Sequence, residues 1–387
     1  MSFASPQAFG AIARIVHGTG TISTLPEEAK RLGATRILLV SDTGLERAGV
    51  LGPVQALLDE FDVEVFTDVE PDPSLETVAR CAEVARTCHA DLVIGLGGGS
   101  VIDVAKCAAA FVNNPGDVRD YLGIDQLKNP AVSKIMIPTT AGTGSEVTNV
   151  AVLSLKAEKT KKGIVSRHLL ADCAILDPEL TLGLPAAITA ATGMDALTHA
   201  IEAYLSRFAQ PLTDYFALQA ITKLSSHLRT AVHHGANIHA RQEVMTASLF
   251  GGLAFGSAAT GMVHGLAMPL GGLFNIPHGI ANAVLLPHVM RWNMPAAMAR
   301  FADIAKAMGQ PVDGLSPREA ALLAITTVEE LSADVGIPRW LDDLGIPRSA
   351  IDALVDDGLT NMRQILPNPR DVTREGLMDI MNKAFRP

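Results

Sequence analysis

Aromatic side chains are scarce in this sequence. Phe, Tyr and Trp together make up 4% of 387 residues, so Ala, Gly, Leu and Val must fill the core. Positive charge is also short: 31 Lys and Arg face 41 Asp and Glu, a net charge of −10. That excludes a general nucleic-acid-binding surface, though a local basic pocket for a small anion is still compatible with it. The four cysteines, Cys81, Cys88, Cys107 and Cys173, form no CxxC pair and no regular framework. They read as reduced thiols of a cytosolic protein. No apolar run approaches the roughly 20 residues needed to span a bilayer. The start, MSFASPQAFG, has no basic region followed by an apolar stretch, so no signal peptide is expected. Internal repeats, low-complexity tracts and long polar linkers are missing too. A cytoplasmic chain with neither membrane nor nucleic acid as partner is the expectation.

What is present is globular material: 48% apolar and 19% charged residues. The length exceeds one typical core, which favours two domains. In the first half strands and helices alternate. IARIVHG reads as a strand, STLPEEAKRLG as a helix ending at Gly33, and TRILLVSD as a strand buried on both faces. VEVFTDV and ADLVIGLGG repeat that buried pattern, with helical segments around 49–60 and 74–89. This predicts a doubly wound α/β domain with a parallel sheet over 1–183. From about 184 the pattern turns to long Ala-rich helices, continued by segments 315–336, 348–356 and 373–385. An all-α second domain over 184–387 follows.

Two loops of the first half carry chemistry. In IGLGGGSVIDVAK a buried strand runs into Gly97, Gly98 and Gly99, and Ser100 opens a helix bearing Asp103 and Lys106. Glycines let backbone N–H groups approach a pyrophosphate at a helix N-terminus. A tight turn with no ligand is an equal reading of this stretch alone, and it is neither GxGxxG nor a Walker loop. The second loop, IMIPTTAGTGSEVT, crowds Thr139, Thr140, Thr143 and Ser145 around Gly142 and Gly144 after another buried strand. Two such loops point to a nucleotide more strongly than either alone. The basic run Lys159, Lys161 and Lys162 reads by default as a solvated hairpin tip.

In the second half, TGMDALTHAIEAY places Asp195 and His199 four apart on one helix face. His264 and His278 are separated by LGGLFNIPHG, a Gly- and Pro-punctuated turn able to fold one toward the other. A carboxylate and three imidazoles suit a divalent first-row metal such as iron or zinc. Taken singly, a His on an apolar helix is more often a packed or hydrogen-bonded core residue. His233, His234 and His239 read as a polar turn, and His288 as packed or hydrogen-bonded.

TGMDALTHAIEAY and the later H…PHGIANAVLLPHVMRWN resemble the iron-containing (group III) alcohol dehydrogenases. GGGSxxDxAK and PTTxGTGSE resemble that family's dinucleotide-binding motifs, and the likeness covers essentially the whole chain. It implies an N-terminal dinucleotide-binding domain, a helical metal-binding domain of dehydroquinate synthase-like architecture, and a cleft between them. Asp195, His199, His264 and His278 become the implied metal ligands. Gly97, Gly98, Gly99, Ser100, Asp103, Thr139, Thr140, Thr143 and Ser145 are implied at the cofactor. Lys162 best matches the family's cofactor lysine, and Leu180 in DPELTLGLP is placed near the cofactor at the cleft. Val150 and Phe255 are implied in the substrate pocket. Asp42, at the end of TRILLVSD, is placed on the adenosine ribose, where its charge would favour NAD over NADP. Because it precedes the glycine loop by about fifty residues, that placement rests on the family, and an Asp capping a turn is the alternative. The implied reaction is reversible oxidation of a small alcohol to its aldehyde or ketone with NAD, iron or zinc acting as a Lewis acid, in a homo-oligomer. A maleylacetate-type reductase, a non-redox metal lyase related to dehydroquinate synthase and a non-catalytic dinucleotide-binding protein are the competing readings. One departure stands out: many members have a second His four residues after the third ligand, and here HGLAM puts Met268 there. Methionine neither titrates nor donates a hydrogen bond.

Overall fold

The computed structural model describes residues 8–158 and 160–387; Lys159 and the first seven residues lie outside them. Two compact units result. One comprises Ala11–Leu184 with Ala236–Met245, the other Pro185–Gly235 with Thr246–Pro387 and residues 8–10.

The first unit holds strands β1 (Ile15–His17), β2 (Arg36–Val40), β3 (Asp62–Phe66), β4 (Leu92–Gly97), β5 (Gly123–Ile124), β6 (Ser133–Pro138), β7 (Val150–Leu155), β8 (Thr160–Val165) and β9 (Cys173–Leu176). Its helices are α1 (Leu25–Arg31), α2 (Thr43–Arg47), α3 (Leu51–Ala56), α4 (Leu75–Thr87) and α5 (Gly99–Asn113). A six-stranded parallel sheet runs in the order β1-β9-β6-β4-β2-β3. Leu39, Ile94, Ile135 and Ile175 from four strands pack with Leu25, Leu51 and Leu58 from the α1–α3 region. That is why β2, β4 and β6 read as continuous apolar runs.

β3 departs from the expected buried pattern. Among the described residues it is an edge strand, paired with β2 alone. Val63 and Val65 lean on the core while Asp62 and Glu64 face water, the alternation an edge strand with one wet face requires. A small second sheet, β5-β8-β7, was not legible in the sequence beyond the hairpin β7–β8.

Chain order decides where this sheet can take a ligand. β3 lies to one side of β2, whereas β4, β6 and β9 follow on the other. The crossover direction therefore reverses between β2 and β4, and the crevice at the carboxyl ends of such strands is where α/β sheets bind ligands. Ser41 Oγ donates to Leu96 O over 2.9 Å and pins these two strand ends together.

The second unit is helical: α6 (Ala186–Leu205), α7 (Pro211–His233), α8 (Ile238–Ala258), whose first turns count with the sheet unit, α9 (Met262–Phe274), α10 (His278–Asn293), α11 (Met298–Ala307), α12 (Pro317–Asp334), α13 (Ile351–Gly358), α14 (Met362–Ile365) and α15 (Arg374–Lys383). Start signals are local: Ser316 and Glu319 form a capping box at α12, behind a Pro at its first position. α6 is buried on every side from Gly193 to Leu205. An Ala-rich helix without a polar face is a core helix, so its polar side chains must find partners inside the protein.

The link from α9 to α10 is shorter than LGGLFNIPHG suggested. α9 continues through Gly271 and Gly272, and the turn proper is Asn275–Pro277, with Asn275 left-handed at φ 56° and Pro277 preceding His278. Packing of this apolar helix in the core outweighs the roughly 1 kcal/mol that each interior Gly costs. Among the described residues no single helix is long and apolar enough to cross a membrane.

Candidate metal centre and cofactor loops

α6 carries Asp195, His199 and Glu202 at i, i+4 and i+7 and so presents them along one face. α9 contributes His264 and α10 His278, its first residue. His264 Nε2 lies 2.9 Å from His199 Nε2 and 3.8 Å from Asp195 Oδ1. His278 Nε2 is 3.8 Å from the same oxygen, and His199 Nδ1 is 4.0 Å from Asp195 Oδ2. Among the described residues, Asp195, His199 and His264 form a buried group whose ligand atoms all lie within 4.8 Å of one another. His278 stands at the edge of that group, its side chain 33% exposed.

Does this set fit a cation? Asn282, one turn after His278 on α10, answers through its amide nitrogen. Nδ2 lies 2.7 Å from Asp195 Oδ1, 3.2 Å from His264 Nε2 and 3.1 Å from His278 Nε2. An amide NH2 only donates and has two protons for these three atoms, so three candidate ligand atoms converge on one electropositive point that does not satisfy them all. Nitrogen and carboxylate-oxygen donors around such a point suit iron or zinc. Asn282 Oδ1 is buried and has no hydrogen-bond partner among the described residues.

The electrostatics agree. Burial drives the Asp195 carboxyl upward, but His199, His278, His264 and the Asn282 amide overcome it and hold the group below its ordinary value. Burial, reinforced by His199 and His278, pushes His264 well below the usual imidazole range. It is therefore neutral, as a ligand must be. Glu202 Oε2 lies 2.6 Å from His264 Nδ1, and Oε1 accepts the Val263 N–H at 2.7 Å. Burial lifts its carboxyl to about 7 against the pull of the backbone N–H groups of Gly261 and Val263.

Around this group, Phe255 stacks on His199 with ring centroids 4.3 Å apart. Met268 lies one turn beyond His264 on α9 and is partly exposed. His288 packs against Trp340 at 5.9 Å, and His233 Nε2 contacts Asp334 O at 2.8 Å.

In the sheet unit the two glycine-rich loops follow the neighbouring strands β4 and β6 and meet each other. Thr139 N donates to Gly97 O over 3.0 Å, and Thr140 lies beside Gly98. A Cβ on Gly99 would stand 2.6 Å from Thr143 Cγ2, so a larger residue there would have to displace the Thr143 side chain. Gly98 precedes α5, whose first residue is Gly99 rather than Ser100.

Several implied cofactor residues have internal partners. Asp103 accepts from Val152 N at 2.8 Å and from Ser145 Oγ, with Lys106 Nζ at 3.2 Å. The fully buried Lys106 also donates to Ser145 O, Ser145 Oγ and Val150 O. This is a brace between α5 and the second loop, and it satisfies a charge that could not otherwise be buried. Asp42 caps α2, accepting from Leu45 N at 3.0 Å. Leu180 packs against the sheet core.

The basic hairpin is not uniformly solvated. Lys162 is outward and exposed, 3.8 Å from Glu158. Lys161, on the opposite face, is buried and pairs with Asp72 at 2.6 Å. Asp72 N in turn donates to Ser100 Oγ at 3.2 Å, beside the first glycine loop. Alternation along a strand separates the two lysines.

Glu202 and Asn282 escaped the sequence reading. Both sit at helical spacing from ligand candidates, three after His199 and four after His278, and that periodicity was the available signal.

Comparison with known proteins gives a consistent result. Residues 13–178 match the family described as iron-containing alcohol dehydrogenase, and residues 189–385 its C-terminal part. The chain is 44% identical over 385 residues to a long-chain-alcohol dehydrogenase of Geobacillus thermodenitrificans, covering 97% of each. It is 45% identical over 373 residues to a 1,3-propanediol dehydrogenase of Citrobacter freundii, covering 95% of this chain and 96% of that one. A solved 1,3-propanediol oxidoreductase superposes with a TM-score of 0.96 at 41% identity, over 98% of this chain and 100% of its own. With both of its units matched along nearly their whole length, the chain belongs to the iron-containing alcohol dehydrogenase family.

Proposed function

We propose that the protein interconverts alcohols with their aldehydes or ketones using NAD, with Asp195, His199, His264 and His278 holding a divalent cation. The observation that carries this reading is the convergence of three imidazoles and one carboxylate, with Asp195, His199 and His264 buried and His278 at their edge, in a member of this family. When bound, the cation supplies Lewis-acid polarisation of the alcohol oxygen and NAD accepts the hydride. The residues prepare for this in distinct ways. His264 is kept neutral by burial, Phe255 braces His199 by stacking, and Asn282 orients Asp195. Residues 184–387 are thus assigned the cation and residues 1–183 the dinucleotide.

For the dinucleotide, Gly97–Gly99, Ser100, Thr139, Thr140 and Thr143 offer backbone and hydroxyl donors at the carboxyl ends of β4 and β6. Asp42 follows β2 beside the reversal point of the sheet, where a carboxylate suits ribose hydroxyls and repels a 2′-phosphate. Asp103 and Ser145 act as supports because their polar atoms are engaged internally. Lys161 replaces Lys162 as the loop lysine, supported by its burial and its Asp72 link to Ser100. Val150 and Leu180 are kept as apolar contacts to substrate and cofactor. A cytoplasmic address is supported by four free thiols, and a homo-oligomer completes the reading.

The test strips the purified protein with a chelator and follows NADH formation over alcohols of increasing length, with Fe2+, Zn2+ or no addition. Turnover restored by a cation and specific for NAD is expected. His264→Ala should lose metal content and turnover together while keeping its circular dichroism. A variant retaining both removes His264 from the ligand set, and conversion of substrate without NADH formation transfers the site to lyase chemistry.

A further inference from the structure

The three ligand candidates with imidazoles share one requirement: the nitrogen facing the cation must carry no proton. A neutral imidazole has one N–H and one lone pair, and its surroundings decide which nitrogen holds which. For His264 two observations give the same answer independently. On one side the Asn282 amide, a donor only, sits 3.2 Å from Nε2, a placement that suits a lone pair there. On the other, Glu202 Oε2 lies 2.6 Å from Nδ1, while Oε1 takes the Val263 N–H at 2.7 Å. We propose that Glu202 is a positioning residue that fixes His264 in its Nδ1–H tautomer and so keeps the Nε2 lone pair directed at the cation site. The inference rests on the metal reading above and extends it to a residue outside the ligand set. Helix geometry makes the arrangement economical, since α6 supplies Asp195, His199 and the group that orients the ligand from α9. Carboxylates behind ligating histidines orient the ring and raise its basicity.

The charge pattern makes the role sharply testable. Glu202→Gln keeps shape and volume but exchanges one acceptor for a donor. The Val263 N–H cannot change its role, so the Gln carbonyl goes to it and the NH2 turns to His264. The imidazole then accepts at Nδ1 and carries its proton on Nε2, where the cation needs a lone pair. Two measurements follow, both on the full chain. Two-bond 15N–1H correlations of the metal-free protein should show His264 as Nδ1–H, and as Nε2–H in Glu202→Gln. Titration of chelator-stripped protein with Co2+ alone should show binding roughly 10–100-fold weaker in the variant, with an altered visible spectrum. In a His264→Ala background, Glu202→Gln should weaken binding no further. If the native protein takes up no Co2+ stoichiometrically, the metal reading itself fails. If it does, but Glu202→Gln binds Co2+ as tightly with the same spectrum, the positioning role is overturned. Should the variant not fold, an Nε2–H signal for His264 in the native protein overturns it as well.

Discussion

Met268 follows His264 by four residues on α9, so the two side chains leave the helix on the same side. Its thioether cannot relay a proton, and the ligand candidates are all retained, so a proton route that does not use position 268 is expected to serve this protein. Met268→His should keep turnover and add an ionisation to the pH–rate profile between about pH 5 and 9. Superimposable profiles would place position 268 outside the proton path. Asp42 is a second single-residue case, because it holds the Leu45 N–H and is assigned to the ribose as well. Asp42→Gly should cost only a few tenths of a kcal/mol as a cap. If the ribose assignment is right, the same variant should cut the NAD-over-NADP ratio of kcat/KM roughly tenfold or more, the effect of removing about 1–2 kcal/mol of like-charge repulsion. An unchanged ratio with a small stability loss leaves Asp42 as a cap alone.

At the scale of elements, the centre depends on how closely α10 approaches α6. Gly279 is the contact: a Cβ there would lie 2.3 Å from Ala191 O, a backbone atom with no flexible end to move. Gly279→Ala must push α10 away, and His278 is the adjacent residue. The expected loss is about 1–3 kcal/mol of stability, the range for overpacking, together with weaker metal uptake. Denaturant melts of metal-free protein and a Zn2+ titration would separate the two effects. Unaltered Zn2+ affinity would show that His278 tolerates the shift or does not bind the ion.

For the whole molecule, ligands should protect different units. Saturation with Zn2+ at about 100 times its Kd adds about 2.7 kcal/mol to the state that binds it. Hydrogen exchange should then slow in α6, α9 and α10, whereas NADH should slow it in the loops after β4 and β6. Protection in the opposite units would reverse the domain assignments. Global stability also carries a pH signature from Glu146, buried in the second loop. Burial raises its carboxyl from 4.5 to about 7, against a backbone hydrogen bond and Lys106. The folded state then holds this proton more tightly than the unfolded chain. The resulting stability is complete below about pH 4.5 and is lost as pH rises through about 7. Relative to Glu146→Gln, the metal-free protein should lose about 2–3 kcal/mol between pH 4.5 and 8. A difference that does not vary with pH would mean that Glu146 is solvated.

What the sequence by itself determined is what local periodicity can carry. The apolar runs of β2, β4 and β6, the strand-to-helix loops behind two of them and the i, i+4 pair of Asp195 and His199 are each encoded within a dozen residues. The motifs also pointed to the metal and the cofactor. Only the tertiary structure decided which of two adjacent lysines is buried, that β3 is an edge, and that α9 runs on through its glycines. It also decided that Asp103 is spent on Ser145, 42 residues away, and that Glu202 stands behind His264, 62 residues away. Such pairs follow from how helices and strands pack. A hydrogen bond between segments leaves no periodic trace in either one, so its partners become visible only once the chain has brought them together.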